Sequence, residues 1–147
     1  MPSGASQDLI KSKKTYLYHP KTKEELKALA QNLKVRLGDI DVSHITDMGA
    51  LFKDSKRKDF SGIEEWNVSQ VKNMKAMFAD TELFNQPLDS WDVSRVKDMR
   101  YMFCRAKSFN QSLDSWNVSM AAEYMKGIFD SSGQKKFPKW FKGIKLS

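Results

Sequence analysis

Cysteine and histidine are nearly missing from this sequence: Cys104 stands alone, and His19 and His44 are the two imidazoles in 147 residues. One thiol excludes an internal disulfide framework and a cysteine-based metal site, and two histidines leave little material for a histidine-based one. Glycine is sparse at seven residues. No Gly-rich phosphate loop, Ser/His/Asp set or clustered His or Cys is present, so the reading carries no catalytic residue, no metal ligand and no cofactor. Apolar runs are short as well. None approaches the roughly 18 to 20 residues of a membrane span, and Met1–Ile10 lacks the apolar stretch of a signal peptide. Cytoplasmic residence, or removal of an export signal, both fit that absence. What remains is enough for a core, since 40% of residues are hydrophobic and 12% aromatic. Wholesale disorder is incompatible with that composition.

The net charge of +7 divides unevenly. Residues 1–37 hold eight Lys/Arg against three acids, residues 38–130 twelve against fifteen, and residues 131–147 five Lys against none. Positive charge therefore sits at the ends of the chain. A nucleic-acid domain normally carries its basic stripe on the folded body, so nucleic acid is disfavoured as a partner.

Internal repetition decides the fold reading. Trp66-Asn-Val-Ser69, Trp91-Asp-Val-Ser94 and Trp116-Asn-Val-Ser119 recur at spacings of 25 and 25, and Ile40-Asp-Val-Ser43 precedes them by 26. Each is followed by a second block, clearest in Val71-Lys-Asn-Met-Lys-Ala-Met-Phe78 and Val96-Lys-Asp-Met-Arg-Tyr-Met-Phe103. A third block precedes the tryptophan, as in Phe84-Asn-Gln-Pro-Leu-Asp-Ser-Trp91 and Phe109-Asn-Gln-Ser-Leu-Asp-Ser-Trp116. Leu88, Trp91 and Val93 end in a period-two alternation that predicts a short half-buried strand. Ser43, Ser69, Ser94 and Ser119 then read as helix N-caps. Val96, Met99, Met102 and Phe103 fall on one face of the helix expected next.

The expected fold class is therefore α/β: a short leucine-rich-repeat-like solenoid with parallel strands on one face and short helices on the other. Both ends read as capped. Residues 1–14 form a loose tail. Residues 15–32 supply a strand, Thr15–Tyr18, and a helix opened by the capping-box pattern Thr22-Lys-Glu-Glu25. Residues 33–129 hold the four copies, and 130–147 an aromatic and basic cap (Phe137-Pro-Lys-Trp-Phe141) and tail.

The pattern Phe-Asn-Gln-x-Leu-x-x-Trp-Asp-Val-Ser-x-Val-x-x-Met-x-x-Met-Phe resembles the repeat of about 26 residues in BspA-like bacterial surface proteins, a leucine-rich-repeat-like group also found among mycoplasma lipoproteins. Residues 84–103 match nearly throughout and 109–119 match well. Residues 40–78 carry Ile40 for Trp, and Met120-Ala-Ala-Glu-Tyr124 departs from the expected helix. The resemblance implies a protein displayed on cells that binds host, matrix or other cell-surface proteins, with no catalytic residues in the motif.

The methionines (Met48, Met74, Met77, Met99, Met102, Met125) and the three repeat tryptophans read as core rather than as a ligand surface. Asn85 and Asn110 read as a ladder satisfying turn backbone groups. Between buried positions lie Asp39, Asp41, Glu64, Asn67, Asp89, Asp92, Asp114 and Asn117, which stack into an acidic and polar strip and are the candidate partner-binding residues. Lys72, Lys75, Arg95, Lys97, Arg100, Arg105 and Lys107 fall on the opposite, helix side, giving an electrostatically two-sided rod. The expected function is a non-enzymatic protein-binding module of surface or secreted type, using the exposed strand face. An intracellular adaptor, or nucleic-acid binding through the basic ends and helix face, are the alternatives. Oligomeric state is left open.

Overall fold

The computed structural model describes residues 14–142, so nearly all of the N-terminal tail and the last five residues of the C-terminal tail lie outside the described residues. Among those described, the one α-helix is α1 (Lys23–Gln31), accompanied by three 3-10 turns: η1 (Leu37–Asp39), η2 (Ile63–Glu65) and η3 (Ser119–Ala121). Helix α1 begins at the capping box. The Thr22 hydroxyl accepts the Glu25 N–H, and the Glu25 carboxylate accepts the Thr22 N–H, both at 3.1 Å. Leu26 and Ala30 are its buried face, while Leu33, beyond its end, is exposed.

Strands are reduced to isolated parallel bridges pairing Tyr18 with Ile40, Asp47 with Asn73, and Asn73 with Asp98. The expected α/β solenoid of parallel strands and short helices is thus overturned in both halves. Leu88–Val93 and its equivalents are turns rather than strands, Val96–Phe103 is not a helix, and Thr15–Tyr18 contributes a single bridge. The chain is a stack of turn-rich coils instead, and pairing between coils comes from the segment read as helical. The N–H groups of Met48, Ala50, Phe52 and Asp54 donate to the carbonyls of Asn73, Lys75, Met77 and Ala79 at 2.8–3.1 Å. Met74, Ala76, Phe78 and Asp80 donate likewise to Asp98, Arg100, Met102 and Cys104. Met99, Tyr101, Phe103 and Arg105 donate to Tyr124, Lys126, Ile128 and Asp130.

This pattern has no place for a helix. Alternate N–H groups leave the coil sideways, and those between them (Leu51, Lys53, Ser55) close turns on carbonyls three residues back. Each coil also enters the left-handed region twice: at Ala50, Ala76, Tyr101 and Gly127, with φ of 56–69°, and at Asp54, Asp80, Arg105 and Ser131, with φ of 57–61°. A non-glycine residue there costs roughly 1–2 kcal/mol, so the inter-coil bonds and core packing must outweigh it. The three-and-four spacing misled because a spiral of successive turns also points Met74, Met77 and Phe78 inward.

The core is a column of rings. Phe52, Phe78, Phe103 and Phe129 stack face to face with centroids 5.6, 5.6 and 5.9 Å apart. Phe84 and Phe109 lie against that column, 4.0 Å from Phe78 and 4.1 Å from Phe103. Met48, Met74, Met77, Met99 and Met102 fill the space between, fully buried. Each indole N–H reaches back one coil: Trp66 to the Leu37 carbonyl, Trp91 to Ile63, Trp116 to Leu88, and Trp140 to Leu113, at 2.8–3.0 Å. Trp140 therefore occupies the repeat's tryptophan position, which its sequence surroundings did not reveal. Gly62, at φ 95°, lies so close to the preceding coil that a Cβ there would meet the Gly38 nitrogen at 2.6 Å.

Candidate functional site

The strip of candidate residues separates into two columns with different duties. Asp41, Asn67, Asp92 and Asn117 each accept the N–H of the serine two residues on, at 3.0–3.1 Å. These are Asx turns, in which a short side chain replaces a backbone acceptor. Ser43, Ser69, Ser94 and Ser119 are accordingly the donors closing those turns rather than helix N-caps. The hydroxyls of Ser94 and Ser69 add bonds of 2.6 and 2.7 Å to Asp92 and Asn67. The Ser94 hydroxyl and N–H hold the Asp92 carboxyl below its usual range. At half-buried Asp41 desolvation pushes the other way, but the bonds from Ser43 and the nearby His44 and His19 prevail and lower it.

The second column runs through Glu64, Asp89 and Asp114. Glu64, half-buried in η2, accepts the Gly62 N–H at 3.1 Å and the Gln86 amide at 3.0 Å. Asp89 and Asp114 are exposed. Asp114 accepts the Lys139 N–H at 2.8 Å, and the Asp89 carboxylate makes no hydrogen bond among the described residues. Coils are registered here by serine hydroxyls, Ser90 donating to the Glu64 carbonyl and Ser115 to that of Asp89, at 3.1 and 2.8 Å. Asp39 lies half-buried in η1, where its carbonyl accepts the N–H groups of Leu17 and Tyr18. Asn85 and Asn110 do form a ladder: the Asn85 side chain accepts the Asn110 N–H at 2.9 Å and that of Asn110 accepts the Lys135 N–H at 3.1 Å.

On the other flank no helix face gathers the basic residues. Arg95 donates to Gln70, Arg100 forks onto Asp98, and Arg105 forks onto Asp80. Arg95 and Arg105 fasten one coil to the one before, Arg100 braces its own coil, and Arg100 and Arg105 lower the carboxyls of Asp98 and Asp80. Lys72, Lys75, Lys97 and Lys107 stay exposed. A cleft of about 430 Å³ lies beside Arg105, lined by Asp54, Lys58, Asp80, Glu82 and Lys107 among others. Among the described residues no group of three or more His, Cys, Asp or Glu is placed to hold a metal ion. Cys104 is buried, which pushes its thiol up.

Two features escaped sequence reasoning. Asp47, Asn73 and Asp98 form another Asx column, each accepting the N–H two residues on at 2.8–3.0 Å, with the Asn73 amide also donating to Asp47. Their recurrence four residues after Ser43, Ser69 and Ser94 was the available signal, hidden by the helix assignment. Arg57 is buried, and its guanidinium donates to the carbonyls of Ala30, Asn32 and Val35 at 2.9–3.1 Å. Burial lowers its pKa, opposed by Asp59. It sits outside the repeat motif, so periodicity held no trace of it.

A family model described as "Mycoplasma protein of unknown function, DUF285" matches residues 23–140, running from the first residue of α1 to the last indole of the ladder. No curated protein and no solved structure matches the chain significantly. With its helical cap, its four coils and the closing Trp140 all inside the matched span, the chain belongs to the DUF285 family.

Proposed function

We propose that this chain is a non-enzymatic protein-binding repeat module of the bacterial surface or secreted type, akin to the BspA-like proteins its repeat resembles. Its contact surface is the column Glu64, Asp89 and Asp114, with Asp39 at its near end. The observation that carries the reading is the division of labour between the two columns. Asp41, Asn67, Asp92 and Asn117 are consumed by turns, whereas Asp89 and Asp114 stand exposed at successive coil positions without a turn to close. Regularly spaced exposed carboxylates on a rigid support attract and orient a basic protein patch. Repeat scaffolds commonly recognise partners along such a face.

The test is capture by the full chain from separated surface, matrix and cytosolic protein fractions, repeated with Asp89→Lys/Asp114→Lys. The reading expects a partner from the surface or matrix fraction whose affinity falls at least about tenfold in the double variant, some 1.4 kcal/mol. Affinity untouched by the two reversals puts binding elsewhere, and a partner found in the cytosolic fraction alone rejects the surface assignment.

A further inference from the structure

Along one edge of the stack four alternate N–H groups of each coil donate forward to the next coil, and among the described residues the fourth coil's set has no acceptor. We propose that this edge docks an extended acidic peptide, whose backbone carbonyls add one more rung to the ladder. At each of the three inter-coil steps the earlier coil donates four N–H groups and the later one accepts them. By the same register the fourth coil offers the N–H groups of Met125, Gly127, Phe129 and Ser131. None has an acceptor among the described residues. Gly127 and Phe129 are buried residues, and a row of unpaired N–H groups along an edge is a template for one more extended segment. A peptide lying alongside residues 125–131 would use that template in the manner of strand addition to a sheet edge.

Charge selects the peptide. A row of parallel N–H groups carries partial positive charge, and the segment beside it adds exposed Lys135, Lys136, Lys139 and Lys142 with no acid between them. On the coil itself Glu123 and Asp130 oppose Lys126, so cations prevail at this end. The occupant need bring no aromatic ring, since Phe137 and Phe141 already cover Phe129 at 5.5 and 5.3 Å. A second copy is a poorer candidate. Its complementary carbonyls, on Asp47, Gly49, Leu51 and Lys53, belong to the end occupied by α1. There Lys23 lies 3.4 Å from Asp47, and Ala30, Gln31 and Leu33 border a cleft with Leu51 and Lys53.

Amide hydrogen exchange of the full chain, read residue by residue by NMR, tests this with a peptide of alternating glutamate and valine about eight residues long, the length of an ordinary strand. Without peptide, Met125, Gly127, Phe129 and Ser131 should exchange at least about tenfold faster than Met99, Tyr101, Phe103 and Arg105, their paired counterparts. With it, those four amides should slow at least tenfold, while a lysine–valine peptide leaves them unchanged. Lys135→Glu/Lys136→Glu should weaken the protection without altering exchange in the third coil. The proposal is overturned by any of three results: four amides already as slow as their counterparts, equal protection by both peptides, or protection that rises with protein concentration alone. The last would assign the edge to a second copy.

Discussion

Each repeat tryptophan ties its coil to the one before through an indole N–H, while its rings lie in the core. Replacing Trp91 by Phe keeps an aromatic ring but deletes the 3.0 Å bond to the Ile63 carbonyl. That carbonyl keeps the Trp66 N–H as a partner, so the expected cost is about 2 kcal/mol from the lost bond and lost volume. Chemical denaturation followed by the remaining tryptophans measures it, and a loss near zero would remove the indole bond from the account of the stack. The Asx column yields a pH prediction. A carboxyl held below its unfolded value stabilises the fold above that value, about pH 4, and loses the contribution as pH falls through the folded one. Asp92→Asn keeps the turn acceptor, since Asn67 and Asn117 do the same work in neighbouring coils. The variant should therefore fold normally and lose less stability between pH 5 and 3 than the parent. Equal acid sensitivity would mean that Asp92 does not titrate with unfolding.

Helix α1 depends on a residue far away in sequence. Its C-terminal carbonyls lack intrahelical donors, as at any helix end, and here Arg57, in the segment after the first coil, supplies them. Removing the guanidinium strands buried acceptors, each worth roughly 1.5–3 kcal/mol when bonded to a charged group. Arg57→Ala should cost more than about 3 kcal/mol and detach α1 first, visible as proteolytic cleavage near residues 31–34 before the coils unfold. If cleavage there is no faster than in the parent, the buried arginine is not what holds the helix. The coils themselves show the limit of periodicity. Val71, Met74, Met77 and Phe78 are buried as the spacing requires, yet helix and turn spiral bury the same positions. What separates them is the destination of the backbone N–H groups, and that is set by the neighbouring copy.

For the whole molecule, stacking in register means that a copy can be removed only as a unit. Excising residues 79–103 joins Phe78 to Cys104, which follows Phe103 as Ala79 follows Phe78, and keeps every remaining side chain in its column. Such a protein should fold and unfold cooperatively at a lower temperature, because one layer of core is gone. Excising about half as many residues should abolish the cooperative transition, since it would set Phe and Trp columns against turns. Thermal unfolding of the two deletions decides this, and equal behaviour would show that register does not govern the stack.

The sequence alone determined the repeat length, the buried positions and the capping box that opens α1, because these depend on local pattern and on which side chains avoid water. It also picked out the residues of the candidate strip, though not that half of them close turns. Tertiary structure decided the rest: coils rather than strands and helices, left-handed backbone at Ala50, Ala76 and Tyr101, Trp140 as the closing rung, and Arg57 beneath the helix. The physical reason is common to all of these. Each is fixed by a hydrogen bond to a residue some 25 positions away, and no window of local sequence contains both partners.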